Sequence, residues 1–332
     1  VIRTVPDEEV ALLQPRRRDE KDAFQPLLVP SLERAVLYFL AACAARRARG
    51  HSTKHMSMLV HTSSFVIMHE KLANLIEGWL KVNKAGLLTA GSDIQNKLKQ
   101  VWTDEAGALP TDITNAPAVT FEELEGRLQE VLDVLKVPVE NGVSDDRIDY
   151  EYEPKTYIIV GGSVLARGLT LEGLMVSYFL RSSSQYDTLL QMGRWFGYRP
   201  GYEDLPRIWM TADLKASFMG LAAIEQEIRE DVAQYSERNV SPTEFAVRVR
   251  KIPGLAITAA NKMRHAIECD ISYSGKHIQT IQFAHRDEKS TRKNWDAASD
   301  LVSTAKNIGC RTDHSDRILF QDVPRNLIVQ FL

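Results

Sequence analysis

Apolar and polar positions follow two rhythms along this chain, and each rhythm predicts one kind of element. Short apolar runs bounded by polar or turn residues, Met56–Val60, Tyr157–Val160, Leu174–Leu180 and Arg207–Met210, suit strands buried on both faces. Between them apolar residues recur every three or four positions. Leu32, Val36, Phe39 and Cys43 predict a helix that starts at Ser31, just after Pro30, and ends in Arg46, Arg47 and Arg49 before Gly50. Leu72, Leu75, Ile76, Trp79 and Leu80 mark a second helix, and a third covers about 92–102. Thr120-x-x-Glu123 is a capping box that opens a fourth through Phe121, Leu124, Leu128, Val131 and Leu135. Pro138 has no amide hydrogen to give a ladder, so Val137–Gly142 reads as a short edge strand.

Apolar strands alternating with amphipathic helices predict an α/β fold, a parallel sheet covered on both faces. Residues 1–30 are polar and punctuated by Pro6, Pro15, Pro26 and Pro30, and read as a surface linker. Its run Arg16-Arg17-Arg18 is either solvated linker charge or a nucleic-acid contact. Three parts follow: a linker and helix over 1–55, the sheet-bearing domain over 56–212, and a helical and hairpin accessory domain over 213–332. In that last part Leu214 to Tyr235 form one long helix, and Ser241-Pro242-Thr243-Glu244 starts another. Ile271–Phe283 reads as a hairpin turning at Ser274-Gly275-Lys276, and the polar run Ala284–Asn294 as a loop.

Composition narrows the function classes. The chain has 332 residues and a formal net charge of -3, which does not suit a passive polyanion binder. Nucleic acid would have to meet a local patch, such as the lysines and arginines of 248–293, or a partner domain. Cys43, Cys269 and Cys310 are too scattered for a disulfide framework, so a reducing cytoplasm is the expected compartment. Cys310-x3-His314 lacks the second pair that a structural metal site needs, and no metal site is expected. No apolar run reaches the ~18–20 residues that span a bilayer. The first residue is Val rather than Met, which hints at a fragment.

Two segments carry chemistry. In Tyr157-Ile-Ile-Val-Gly-Gly-Ser-Val-Leu-Ala-Arg-Gly-Leu-Thr170 a buried strand runs into glycines and a turn. Ligands of open parallel sheets bind beyond the carboxyl ends of strands, where glycines permit close backbone approach. A tight strand-to-turn connection would demand the same glycines. In Gln191-Met-Gly-Arg194-Trp-Phe-Gly-Tyr-Arg199 two arginines five apart follow a short helix. An arginine at a domain edge can stabilise charge on a phosphoryl group held elsewhere, or it can simply stack on Trp195, Phe196 or Tyr198.

Taken together, the two segments resemble motifs V and VI of superfamily-two helicases. More closely, the run from Met58-Leu-Val-His-Thr-Ser63 through Tyr273-Ser-Gly-Lys276 resembles the Z-one domain family, helicase-like proteins of bacterial restriction and defence systems to which endonuclease activity is ascribed. The resemblance implies a RecA-like three-layer domain, the second motor half of a helicase, with an α-helical and β-hairpin appendage. It implies that Gly162, Ser163, Arg167, Gly168, Thr170 and Gln191 line the nucleotide site and that Arg194 or Arg199 is an arginine finger. His61, Thr62 and Ser63 would approach nucleic acid. Ser163 and Thr170 stand where many helicases have aspartates, and the arginine spacing is longer than usual, so both arginines remain candidates.

No Gly-x4-Gly-Lys-Ser/Thr loop occurs. Asp104-Glu105 mimics the acidic end of a magnesium-binding strand but follows the polar stretch Lys97–Gln100. The expectation is therefore an ATP and magnesium site shared with an upstream RecA-like P-loop domain of the same protein. DNA, and other restriction or defence subunits, would be further partners, with no membrane. Two other readings stay open: a metal-dependent endonuclease using Glu268, Asp270 and Lys276, and a non-catalytic interaction module.

Overall fold

A computed structural model describes the chain except residues 107–115, 141–147, 152, 163–170, 182, 184, 194–200, 239–248, 250, 253–254, 259–286, 315–316 and 332. It divides into two compact units, Val1–His265 and Ala266–Leu332.

The first unit is an α/β fold compatible with a RecA-like three-layer arrangement. Its strands are β1 (Ile2–Thr4), β2 (Met56–His61), β3 (Leu135–Lys136), β4 (Val139–Glu140), β5 (Thr156–Gly161), β6 (Leu174–Phe179) and β7 (Arg207–Met210). They lie in the order β1-β7-β6-β2-β5-β3, with β4 also on the outer edge of β5. Every pairing is parallel. β2, β5 and β6 are buried at every position, which is why they read as continuous apolar runs. Pro138 sits at the edge as expected, its carbonyl accepting from Val160 N at 3.0 Å.

One face is covered by α2 (Pro30–Ala48), α3 (Val66–Leu87), α4 (Asp93–Ala106) and α5 (Phe121–Val134). α2 is buried without interruption from Ala35 to Arg46, because Ala35–Ala45 is apolar all round and α4 and α5 pack against it. Its backbone ends at Gly50, whose φ of 86° an L side chain adopts with difficulty. α5 opens on the expected capping box: Glu123 N donates to Thr120 Oγ1 at 3.3 Å, and Thr120 N to Glu123 Oε2 at 2.8 Å. On the other face α6 (Tyr186–Gly193) and α7 (Ala212–Arg238) pack Leu189, Met192, Leu214, Leu221 and Ile224 against Phe179 and Met210.

Two expectations about organisation need correction. Residues 1–30 are no linker: β1 extends the sheet beside β7, and Val5, Leu13 and Val29 are buried. Three-residue strands and the seven-residue α1 (Asp7–Leu13) are too short for periodicity to mark. Nor does an appendage begin at 213, since α7 is a covering layer of the sheet. Beyond it, Ala256 O accepts from Tyr186 N at 2.9 Å, which keeps that segment in the first unit.

In the second unit α8 (Glu288–Ile308), the antiparallel pair β8 (Cys310–His314) and β9 (Arg317–Gln321), and α9 (Arg325–Phe331) follow in order. The loop expected through Asn294 is in large part the first turns of α8. Its polar start is helix-compatible, with Arg292 Nε 3.3 Å from Asp296 Oδ1 one turn on. The hairpin expected at 271–283, the helix start at 241 and the endonuclease candidates Glu268, Asp270 and Lys276 lie outside the described residues. Among the described residues no helix is long and apolar enough to cross a membrane.

Gly173, at the entry to β6, is the tightest backbone position. Its φ is 64°, and a Cβ there would lie 1.8 Å from the carbonyl oxygen of His55. The Gly173 carbonyl also accepts from Ser57 N at 2.9 Å, so the backbone cannot retreat without breaking the β2–β6 ladder. Gly173→Ala is expected to destabilise the first unit by ~3 kcal/mol or more, read as the urea midpoint of unfolding. A midpoint equal to wild type would show that the turn has room to move.

Candidate functional site at the carboxyl edge of the sheet

Because the strands are parallel, β2, β5 and β6 deliver their carboxyl ends to one edge. β2 ends in His61-Thr62-Ser63, β5 in Gly161-Gly162, and β6 in Phe179 followed by Leu180 and Arg181. Both Leu180 N and Arg181 N donate to His61 O, at 2.9 and 3.2 Å, so the end of β6 is clamped to that of β2. Ser63 turns the chain into α3 by accepting from Phe65 N at 3.2 Å.

His61, Thr62, Ser63 and Gly162 are thus gathered at one place, but the first three are buried, at 0%, 2% and 5% exposure. Their side chains are therefore not a free nucleic-acid surface. Gln191 is exposed on α6. Ser163, Arg167, Gly168, Thr170, Arg194 and Arg199 lie outside the described residues.

The structure adds two residues that the sequence reading missed, His69 and Arg181. A Cβ on Gly162 would lie 2.6 Å from the His69 ring, so glycine is needed there to let α3 bring its imidazole against the end of β5. His69 Nε2 donates to Ser63 O at 2.9 Å, the role open to the imidazole facing a carbonyl. Arg181 Nη1 donates to His61 Nε2 at 3.3 Å, which leaves the His61 hydrogen on Nδ1. Neither His61 Nδ1 nor His69 Nδ1 has a hydrogen-bond partner among the described residues. His61 also meets Phe179 edge-on at 5.2 Å. A signal for His69 was present: with Leu72, Ala73 and Ile76 it completes the buried i, i+3, i+4, i+7 stripe of α3. Arg181 stood directly behind an apolar strand.

Both imidazoles are held neutral. Burial first, then the Arg181 charge and His69, push His61 down to about 3. Burial chiefly, assisted by Arg181, lowers His69 as well. Burial also lowers Arg181, and among the described residues no acidic neighbour counters it. An ordinary histidine in the unfolded chain takes up its proton near pH 6.5. Between that value and about 3 the unfolded state therefore binds a proton that folded His61 refuses, and stability present above pH 6.5 is lost as the pH falls. Within that window His61→Gln should flatten the dependence of unfolding free energy on pH by ~1.4 kcal/mol per pH unit, measured by urea titration at a series of pH values. Parallel wild-type and variant curves would show that His61 titrates normally.

The donor set at this edge, a guanidinium with no carboxylate partner among the described residues beside neutral imidazoles, suits an anion rather than a metal ion. Among the described residues no group of three or more His, Cys, Asp or Glu side chains could hold a metal.

No curated protein and no solved structure matches the chain. The family model of the Z1 domain matches residues 31–256, well over half of the chain and nearly all of the first unit. The chain belongs to the Z1 domain family.

Proposed function

We propose that this chain is the second motor half of an ATP-dependent DNA helicase or translocase of a restriction or defence system. Its partner in the active site would be an upstream RecA-like P-loop domain of the same protein. One observation supports the reading: β5 and β6, the two neighbours of β2, end at a single sheet edge, and the chain runs on from β5 into one helicase-like segment and from β6 through α6 into the other. Crevices beyond the carboxyl ends of parallel strands are where such sheets take their ligands.

On this reading ATP with magnesium supplies the phosphoryl group whose transfer drives movement. The residues present fit the phosphate end of that ligand, since Arg181 offers a cation with no anionic partner among the described residues, and His61 and His69 stay neutral beside it. Gly162 through Thr170 would lie against the phosphates, Gln191 would approach them from α6, and Arg194 or Arg199 would stabilise the developing charge. DNA would run across the same edge, reaching the turn at His61-Thr62-Ser63 through its backbone rather than its buried side chains.

The test is DNA-stimulated ATP hydrolysis by the chain joined to its P-loop domain, with Arg194→Ala and Arg199→Ala as variants. Near-complete loss in at least one, with DNA binding kept, is the expected result. Wild-type turnover in both would sink the assignment.

A further inference from the structure

We infer that Arg181, oriented by His61, is a phosphate-oxygen binding group at the carboxyl edge of the sheet, additional to the helicase-like segments. The inference rests on the reading of this edge as the ligand edge.

Among the described residues of the first unit, the arginines buried to a similar or greater degree, Arg46 apart, have anionic partners. Arg207 bonds Glu105 at 3.1 Å, Arg49 bonds Asp204 at 2.6 Å, and Arg47 lies 3.5 Å from Glu130. Arg46 is compensated differently, over the Tyr202 ring at 3.8 Å, against the His55 carbonyl at 2.8 Å, and in the last turn of α2. Arg181 is half-buried, and its hydrogen-bond partner among the described side chains is a neutral imidazole. A cation partly withdrawn from water without an anion is a standing cost, removed when an anion arrives.

The identity of its backing residue matters. A carboxylate in place of His61 would orient the guanidinium and also cancel its charge. An imidazole that accepts through Nε2 orients it and leaves the charge whole for a ligand. His61 is itself fixed, fully buried, edge-on to Phe179 and joined to Leu180 and Arg181 through its carbonyl. The remaining guanidinium donors form the planar fork that matches phosphate oxygens.

The phosphate could be that of a nucleotide or of a nucleic-acid backbone, and two probes separate them. Inorganic tripolyphosphate presents a nucleotide-like chain without a base, and a single-stranded oligonucleotide with 5′-hydroxyl ends presents only diesters. Binding of each to the full chain is measured by titration calorimetry at low ionic strength, where surface and buried charges both register. Arg181→Gln is expected to weaken one probe by about tenfold or more, as loss of a charge-assisted contact does, and Arg181→Lys to keep part of the affinity. The probe affected names the source. His61→Gln retains an acceptor and should stay near wild type, whereas His61→Leu should follow Arg181→Gln; a purely packing role for His61 would give the opposite order.

Equal affinity of wild type and Arg181→Gln for both probes, or no binding of either by the wild type, overturns the subsite. If Arg181→Gln does not fold, undiminished binding by Arg181→Lys and His61→Leu does the same. These readouts do not depend on hydrolysis, so failure here leaves the arginine-finger assignment standing, and failure of that assignment leaves this one to be judged by affinity.

Discussion

Glu105→Ala is expected to destabilise the first unit by about 3–5 kcal/mol, the cost of leaving a buried charge without its partner. The Glu105 side chain is 1% exposed and lies among three arginines from three elements. Arg3 of β1 reaches it at 2.6 Å, Arg34 of α2 at 3.1 Å, and Arg207 of β7 at 3.1 Å. Arg207 also donates to the Glu105 carbonyl at 2.6 Å, and is itself 1% exposed. Burial alone would raise the Glu105 carboxyl, but the hydrogen bonds and charges of Arg3, Arg34 and Arg207 hold it below the usual carboxylate range. Removing the carboxylate strands Arg207, whose other contacts are carbonyls of Asp204 and Pro206 and the Tyr38 ring. For a unit of this size such a loss lowers the thermal midpoint by roughly 10 °C. Arg34→Ala, which removes a 35% exposed partner, should cost about 1 kcal/mol or less. Equal midpoints for wild type and Glu105→Ala would show that the clasp is not worth its desolvation.

The clasp also marks what the sequence could not disclose. Asp104-Glu105 invited comparison with a magnesium-binding acid because only its neighbours in sequence were visible. Its partners lie 102 and 71 positions away, and pairings at that distance follow from topology rather than local pattern. Arg3 could be placed beside it only once β1 was seen to join the sheet. Elements with strong local signals fared differently: β2, β5, β6 and β7, α2 with its apolar run Ala35–Ala45, and the capped α5 each carry their burial in their own spacing. The helix α8 was half hidden, since its polar first turns lack a face, while Ala298, Leu301 and Ala305 beyond them keep the helical interval.

The site was legible in outline for the same reason. Glycines after β5 and a polar turn after β2 announce strand ends, and the parallel pairing of β2 with β5 brings Gly162 and His61–Ser63 to one edge. Their chemistry was not legible, because burial and neighbours decide it. His61 read as a contact for nucleic acid, yet it lies at 0% exposure and serves as an acceptor for Arg181. Gly162 read as an approach to phosphate, yet the nearest body is the imidazole of His69. Arg181 had no motif around it, and that its partner among the described side chains is an imidazole rather than a carboxylate is a fact about three dimensions.

Arg194→Ala is expected to lower DNA-stimulated ATP turnover by ~10³–10⁵ in the protein that carries the P-loop domain, with DNA affinity unchanged, the range found when a finger is removed from phosphoryl-transfer sites. Two candidates were open, and the scaffold favours one. Arg194 immediately follows α6, whose Tyr186, Leu189 and Met192 are buried. Gly193, the last residue of that helix, lies so close to α7 that a Cβ there would be 2.8 Å from the Phe218 ring. The helix end is therefore pinned from both sides, and Arg194 is the candidate next to it in sequence. Arg199 follows five residues later in the sequence, past Gly197. Groups that must meet a transition state within about half an ångström work best from rigid elements. Arg199→Ala should accordingly cost much less than Arg194→Ala, and Arg194→Lys should not restore turnover, because an ammonium cannot make the paired contacts of a guanidinium. The reverse ranking would move the finger to Arg199 and make the end of α6 a packing feature only.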